Sequence, residues 1–177
     1  MSKEESKPSY LASIQARDPA APNKFYILLF YPSVKAMFHF RIASFLWRKW
    51  HLRLIPYAIM SYARWISGIE IHPAATIGKR LFIDHGMGVV IGETAVIGDD
   101  VTLYHGVTLG GLSLEKVKRH PTLEDNVLVG AGATLLGPIT IGKGSKVSAN
   151  ATIRKSVPAG MIAISDETHV PIKEKRE

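Results

Sequence analysis

Residues 69–109 read "IEIHPAATIGKRLFIDHGMGVVIGETAVIGDDVTLYHGVTL", and the spacing within this stretch decides the fold. Ile71, Ile77, Ile83 and Val89 stand six apart. After a two-residue slip the register resumes at Ile91, Ile97, Leu103 and Leu109. Beyond an interruption it continues through Leu123, Val129, Leu135, Ile141, Val147 and Ile153, so that all fourteen positions are aliphatic. Glycine follows directly at Gly78, Gly92, Gly98, Gly110, Gly130 and Gly142, where a tight corner favours a residue without a Cβ. Small or β-branched residues recur four places along, at Ala75, Ala95, Val101, Val107, Val127, Ala133 and Ala151. Helices repeat every 3.6 residues and ordinary strands every 2. A period of six sustained over this length is that of a hexapeptide parallel β-helix, with three hexads to each turn of a triangular prism and the aliphatic residues inside. The predicted fold class is mainly β: a left-handed parallel β-helix over residues 69–160, preceded by a short α-helical segment within residues 1–68.

Upstream of Gly68 the pattern is helical. In "SVKAMFHFRIASFLWRKW", Val34, Met37, Phe38, Ile42, Phe45 and Leu46 fall at three- and four-residue intervals, the mark of an amphipathic helix. Pro32 and Ser33 supply its start, and Pro56 separates a second, shorter helix ending near "WISG". Trp47, Arg48, Lys49, Trp50 and Arg53 would suit a membrane surface. Packing of the apolar face on the prism or on another subunit is the expected use. The first ~14 residues are expected to be flexible, and residues 161–177 to form a polar tail.

Composition narrows the function classes. The 177 residues are 46% hydrophobic and 21% charged, a globular balance. The longest apolar run, "FYILLFY" at 25–31, is too short to span a bilayer, and "MSKEESKPSY" lacks the apolar core of a secretory signal. A cytoplasmic location is expected, with no membrane partner. Without cysteine there is no disulfide, no thiolate metal site and no cysteine nucleophile. A net charge of +7 suits solubility or an anionic partner, whether nucleic acid, a membrane surface or a phosphate-bearing small molecule, and the scatter of the basic residues argues against nucleic acid.

Chemistry gathers at the two breaks in the repeat. The slip carries Asp84 and His85. If it is a local bulge, Ile83 and Leu103 share one face, and His85 and His105 stack about 4.8 Å apart, the strand spacing. The interruption, residues 110–122, reads as a loop leaving the prism and ends in "KRHP", adding Arg119 and His120. On residue type alone, either His85 or His105 suits a general base or a structural role, Asp84 suits a turn and Asp18 a helix cap.

The run from "IEIHPAATIGKRLFIDHGMG" through "VTLYHGVTLGG", followed by "KRHPTLEDNVLVGAGATLLGPITIGKGSKV", closely resembles the bacterial serine O-acetyltransferases, and the resemblance reaches upstream to "ARDPAAPNKFYILLFYPSVKAMFHFRIASFLW". It implies transfer of acetyl from acetyl-CoA, a co-substrate and not a bound cofactor, to the hydroxyl of L-serine, for cysteine biosynthesis. It also implies His85 as the base. The family has an aspartate fifteen residues before that histidine, and here Glu70 stands in its place. Arg119 and His120 match residues that hold the serine carboxylate, and Asp18 and Asp84 match acids that receive its ammonium. Gly111, Ala131 and Ala149 match positions along the acetyl-CoA groove, with Lys143, Lys146 and Lys155 near enough in sequence to meet its phosphates. No metal is implied. The family implies a homotrimer or a dimer of trimers.

Three departures stand out. The loop reads "GGLSLEKVK" where the family is glycine-rich, which keeps homoserine, another amino alcohol or a sugar open as acceptor. "MIAISDETHVPIKEKRE" replaces the family's C-terminal segment beside CoA. Glu177 stands where partner-binding members end in isoleucine, so a complex with cysteine synthase is not expected. A zinc-binding reading of the γ-type carbonic anhydrase kind needs a His-x4-His pair, and no two histidines here stand five apart.

Overall fold

The computed structural model describes residues 8–166 and 168–171. Among the described residues, fifteen short strands lie on the three faces of a prism. The first face carries β1 (Glu70–Ile71), β4 (Val90–Ile91), β7 (Thr108–Gly110), β10 (Thr134–Leu136) and β13 (Thr152–Ile153). The second carries β2 (Thr76–Ile77), β5 (Val96–Ile97), β8 (Thr122–Leu123) and β11 (Thr140–Ile141). The third carries β3 (Phe82–Ile83), β6 (Thr102–Leu103), β9 (Leu128–Val129), β12 (Lys146–Val147), β14 (Met161–Ala163) and β15 (His169–Pro171). Up to β13 successive strands thus lie on different faces, and through the regular coils a strand pairs in parallel with the one three later, as Ile71 with Ile91 and Ile91 with Leu109.

The register follows from the hexads. Ile71, Ile91, Leu109, Leu135 and Ile153 stack inside the first face at 2% exposure or less. Two residues before each inward aliphatic sits a second buried residue, in several coils a smaller one, such as Ala95 before Ile97 and Val107 before Leu109. Val89 belongs to this second series: it lies two before Ile91 and is not an inward position of its own. The slip is therefore a widened corner, and Ile83 pairs with Leu103 on the third face.

Four helices cover the first coil. They are α1 (Tyr10–Arg17), α2 (Lys24–Phe30), α3 (Pro32–Lys49) and α4 (Leu54–Ser67). Residues 10–14, expected to be flexible, open α1 instead, with Ser9 capping it and Ile14 fully buried. Pro32 occupies the first turn of α3, as its fixed φ favours. Pro56 does not separate helices; it lies in the first turn of α4, where no intrahelical N–H is needed. Gly68 ends α4 in the left-handed conformation at φ 72°, and a Cβ there would also meet the Met87 sulfur.

The buried side of α3 matches the apolar stripe in the sequence only in part, at Val34 and Met37. Val34, Met37, Phe40 and Ala43 face inward, while Phe38, Ile42 and Phe45 are exposed at 63%, 40% and 54% in the single chain. Small residues let α3 approach the prism, and arginines fasten it there. Arg41 donates to the Ile77 carbonyl at 2.9 Å, and Arg48 to that of Ala75 at 2.7 Å. The expected polar tail begins with a prism strand, since β14 pairs in parallel with β12 and then folds back antiparallel to β15. Residues 172–177, including Glu177, lie outside the described residues. Among the described residues no helix is long and apolar enough to cross a membrane.

Candidate active site

The corner joining the third face to the first is where the repeat gains two residues. Regular coils turn it between Leu103 and Leu109; the first coil turns it between Ile83 and Ile91. To absorb the excess, His85, Gly86 and Gly88 all adopt left-handed backbone, at φ 59°, 79° and 76°. A side-chain-bearing residue in that region is uncommon. Four backbone hydrogen bonds hold it there. Asp84 N–H reaches Leu103 O at 2.8 Å, Gly86 N–H reaches Asp84 O at 2.7 Å, Gly88 N–H reaches Gly68 O at 3.0 Å and Gly106 N–H reaches Met87 O at 2.9 Å.

The result is an outward-pointing histidine. The His85 side chain is 77% exposed, with Nε2 3.9 Å from Asp84 Oδ1. His105 lies one coil along, its ring centroid 6.0 Å from that of His85 and nearly perpendicular, so the two rings meet edge to face and do not stack. Ala131 and Ala149 continue the same column, each third in its hexad like the two histidines. Gly132 N–H bonds His105 O at 2.9 Å and Asn150 N–H bonds Ala131 O at 2.8 Å, linking coil to coil.

Asp18 is brought to this corner by α1. Its neighbour Arg17 clamps the prism, donating to the carbonyls of Arg80 at 2.6 Å and Val101 at 3.1 Å and to Thr102 Oγ1 at 3.1 Å. Asp18 Oδ1 accepts from Ala20 N–H at 2.8 Å, and the Tyr31 hydroxyl donates to Oδ2. The Tyr31 phenol is pushed up to about 12, first by burial, then by the bond to Asp18 and the charges of Asp18 and Asp84. Tyr31 therefore stays a donor facing both acids.

The second group sits across the first face, at the corner joining it to the second. Here the loop over 111–121 leaves the prism after β7 and returns at β8. His120 is 6% exposed, and its ring lies over Gly92 so closely that a Cβ on Gly92 would fall inside it. Thr94 fastens the loop's end: its Oγ1 accepts from the N–H groups of Arg119 at 3.0 Å and His120 at 3.1 Å. Arg119 donates through Nη1 to Ser113 O at 3.1 Å and through Nη2 to Glu93 Oε2 at 3.3 Å; its Nε is buried without a partner. Burial, then the Arg119 cation, holds the His120 imidazole below its ordinary pKa.

Glu70 opens onto this second corner. A cavity of about 420 Å³ is lined by Tyr57, Arg64, Glu70, Glu93, Arg119 and His120. The Glu70 carboxylate pairs with Arg64 Nη1 at 3.1 Å and not with His85. Its backbone nevertheless runs beside the His85 corner, since Glu70 N–H bonds Val89 O at 2.9 Å and Ile69 packs against Gly86. His72 is a packing residue: Nδ1 accepts from Ala74 N–H at 3.1 Å, Nε2 meets the Tyr57 hydroxyl at 2.9 Å, and Trp47 closes over its edge.

One chain thus brings Asp18, Asp84 and His85 to one corner, at the head of the column that runs on through Ala131 and Ala149, and separately brings together Glu70, Arg119, His120 and Gly111. Gly111 belongs to the second group because a Cβ there would touch Arg119 and His120 at 3.2–3.3 Å. Tyr31, Glu93 and Thr94 have no part in the sequence reading of the site, and Gly92 enters that reading only as a corner glycine. Their partners lie 13 to 28 residues away, and no local pattern announces them. A larger, mainly apolar cavity of about 480 Å³, lined by Tyr10, Leu28, Met37, Phe38 and Arg41, contains none of these residues. Among the described residues no group of three or more His, Cys, Asp or Glu is arranged to hold a metal ion.

Comparisons with known proteins agree with one another. Residues 120–155 match the family model described as "Bacterial transferase hexapeptide (six repeats)". A serine acetyltransferase of Helicobacter pylori is 50% identical over 165 residues, 93% of this chain and 96% of that one. The crystal structure of Neisseria gonorrhoeae serine acetyltransferase in complex with serine superposes with a TM-score of 0.84 at 36% identity, over 91% of this chain and 65% of that one. The Brucella abortus serine acetyltransferase in complex with coenzyme A gives 0.85 at 36% identity, over 94% and 66%. The chain therefore spans about two thirds of those two solved chains and almost the whole of the Helicobacter relative. At half identity to a serine acetyltransferase over nearly the whole of both chains, the chain belongs to the serine acetyltransferase family.

Proposed function

We propose that the protein transfers acetyl from acetyl-CoA to the hydroxyl of L-serine, with His85 as general base. The observation that carries this reading is the widened corner, which aims an exposed imidazole outward beside Asp84 and the Tyr31-oriented Asp18. Serine's hydroxyl attacks the thioester carbonyl as His85 takes its proton. The tetrahedral intermediate collapses by breaking the C–S bond, and the imidazolium returns the proton to the departing thiolate. Asp18 and Asp84 receive the ammonium; Arg119 and His120 grip the carboxylate.

Glu70 is the acid that orients His85 and stabilises its imidazolium, by turning from Arg64. That exchange is cheap, because the Arg64–Glu70 pair is 65% and 48% exposed and such pairs contribute at most about 1 kcal/mol. The two half-sites lie on either side of the first face, which supports a trimer of left-handed prisms whose sites form between neighbours. In it, Ala131 and Ala149 of one copy and Gly111 of the next line the acetyl-CoA groove. The same reading assigns the enzyme to the cytoplasm and leaves trimer and dimer of trimers as the two assemblies.

The test is release of CoA from acetyl-CoA with L-serine, homoserine or a sugar panel, using wild type and His85→Ala. Serine-dependent release that collapses in the variant supports the reading. Release with homoserine or a sugar alone would transfer it to the altered loop's acceptor. Sedimentation at working concentration reads the assembly.

A further inference from the structure

The corner between the first and second faces contains a residue, Thr94, whose only side-chain polar group is fully committed to two others. Thr94 Oγ1 accepts the N–H groups of Arg119 at 3.0 Å and His120 at 3.1 Å, which leaves its own proton for one further bond. That bond reaches His120 Nδ1 at 2.8 Å. Thr94 N–H, which can only donate, approaches the same Nδ1 at 3.2 Å. Both of the ring's hydrogen bonds therefore fall on Nδ1 as acceptor, and the ring proton belongs on Nε2. Lys118 completes the fastening, with Nζ donating to Thr94 O at 2.6 Å and Pro121 O at 3.2 Å.

Beside it, Arg119 has used Nη1 on Ser113 and Nη2 on Glu93, while its Nε is buried without a partner. Arg119 Nε–H and His120 Nε2–H are thus two unused donors on adjacent residues. Gly111 lies against both, and a Cβ on it would stand 3.2 Å from Arg119 Cγ and 3.3 Å from His120 Nε2. A carboxylate, which accepts only, matches such a donor pair; a histidine of the opposite tautomer would present a lone pair to it and repel it.

We propose that Thr94 is a positioning residue for acceptor recognition, fixing His120 as its Nε2–H tautomer and holding the Arg119–His120 segment so that both free donors meet the acceptor's carboxylate. The proposal rests on the serine acetyltransferase reading for the identity of that carboxylate, but its tautomer half is a property of the free protein. The burial that keeps His120 neutral acts in the same direction.

The experiment compares wild type, Thr94→Val, which keeps the shape but removes the hydroxyl, and Thr94→Ser, which restores it. Nitrogen-15 NMR of labelled histidine, with His120→Gln for assignment, reads the tautomer without substrate. Steady-state kinetics reads KM for serine and for acetyl-CoA separately. The expected result is a pure Nε2–H signal for His120 in wild type and Thr94→Ser, and an averaged Nδ1/Nε2 signal in Thr94→Val. With it come a rise of about ten-fold or more in the valine variant's KM for serine and little change in kcat or in KM for acetyl-CoA. Thr94→Ser should return KM to within about three-fold of wild type. An Nδ1–H or doubly protonated His120 in the wild type at neutral pH would overturn the proposal, as would an unmoved serine KM in the valine variant or a serine variant that fails to restore it. A wild type with the Nε2–H signal but no activity on serine would instead count against the acceptor assignment, leaving the tautomer assignment supported.

Discussion

The two corners that carry the site are built in opposite ways. At the corner between the first and second faces, Thr94, Glu93 and Lys118 tie down the returning loop, and His120 lies buried against Gly92. At the corner between third and first faces, His85 projects into solvent from a stretch secured by backbone bonds alone. The cause lies in what each corner absorbs. A loop of 11 residues must be anchored where it rejoins the coil, or β8 loses register. Two extra residues are accommodated by left-handed turns without any side-chain anchor. The comparison teaches that the half-site assigned to the carboxylate is rigid in the free chain. The half-site assigned to the base is open, and the proposed trimer would close it.

The comparison breaks first at His85. Replacing it with alanine should lower kcat by about 10²–10⁴-fold, the usual worth of a general base, while the melting temperature stays put because the side chain is exposed. Initial rates and a thermal melt read both. Gly92→Ala attacks the rigid corner. Its Cβ takes the space of the His120 ring, and the serine KM should rise about ten- to a hundred-fold, with acetyl-CoA binding retained. Titrating each substrate separately checks the split.

An alkaline scan sharpens the contrast between helices and prism. The Tyr10 phenol is pushed up to about 12 by burial and that of Tyr31 to about 12 as well, against 10.0 for the ordinary residue. The folded state thus holds these protons more tightly than the unfolded chain. Their stabilising contribution is complete below pH 10 and is lost as pH rises from 10 to 12. The melting temperature should fall by several degrees across that window, and Tyr10→Phe should flatten the decline. The smallest effect belongs to Arg64→Met. Freed of its exposed partner, Glu70 should serve His85 at least as well, so kcat should stay within about five-fold of wild type.

The hexads made the prism readable, because each inward aliphatic faces the same environment one turn later and the sequence repeats what the structure repeats. Asp84, His85, Arg119 and His120 were readable for the complementary reason, as breaks in that repeat. The helical layer was less so. Of the apolar stripe only Val34 and Met37 are buried, while Phe38, Ile42 and Phe45 are exposed; Ala36, Ala43 and Ser44 face inward instead, where small side chains let α3 approach and its arginines reach carbonyls. Tyr31 and Thr94 carry no local signature at all: each matters through partners distant in the chain.

The sequence by itself determined the three-faced prism, the corner that gains two residues and the identities of the chemical groups placed there. Periodicity suffices for this, because hydrophobic burial acts on every hexad alike. Only the tertiary structure decided which groups meet. It put Asp18 under Tyr31, turned Glu70 toward Arg64, and set His120 on Gly92 under the control of Thr94. Those contacts join residues far apart in sequence and depend on direction and distance, which a hydrogen bond requires and a one-dimensional pattern does not encode.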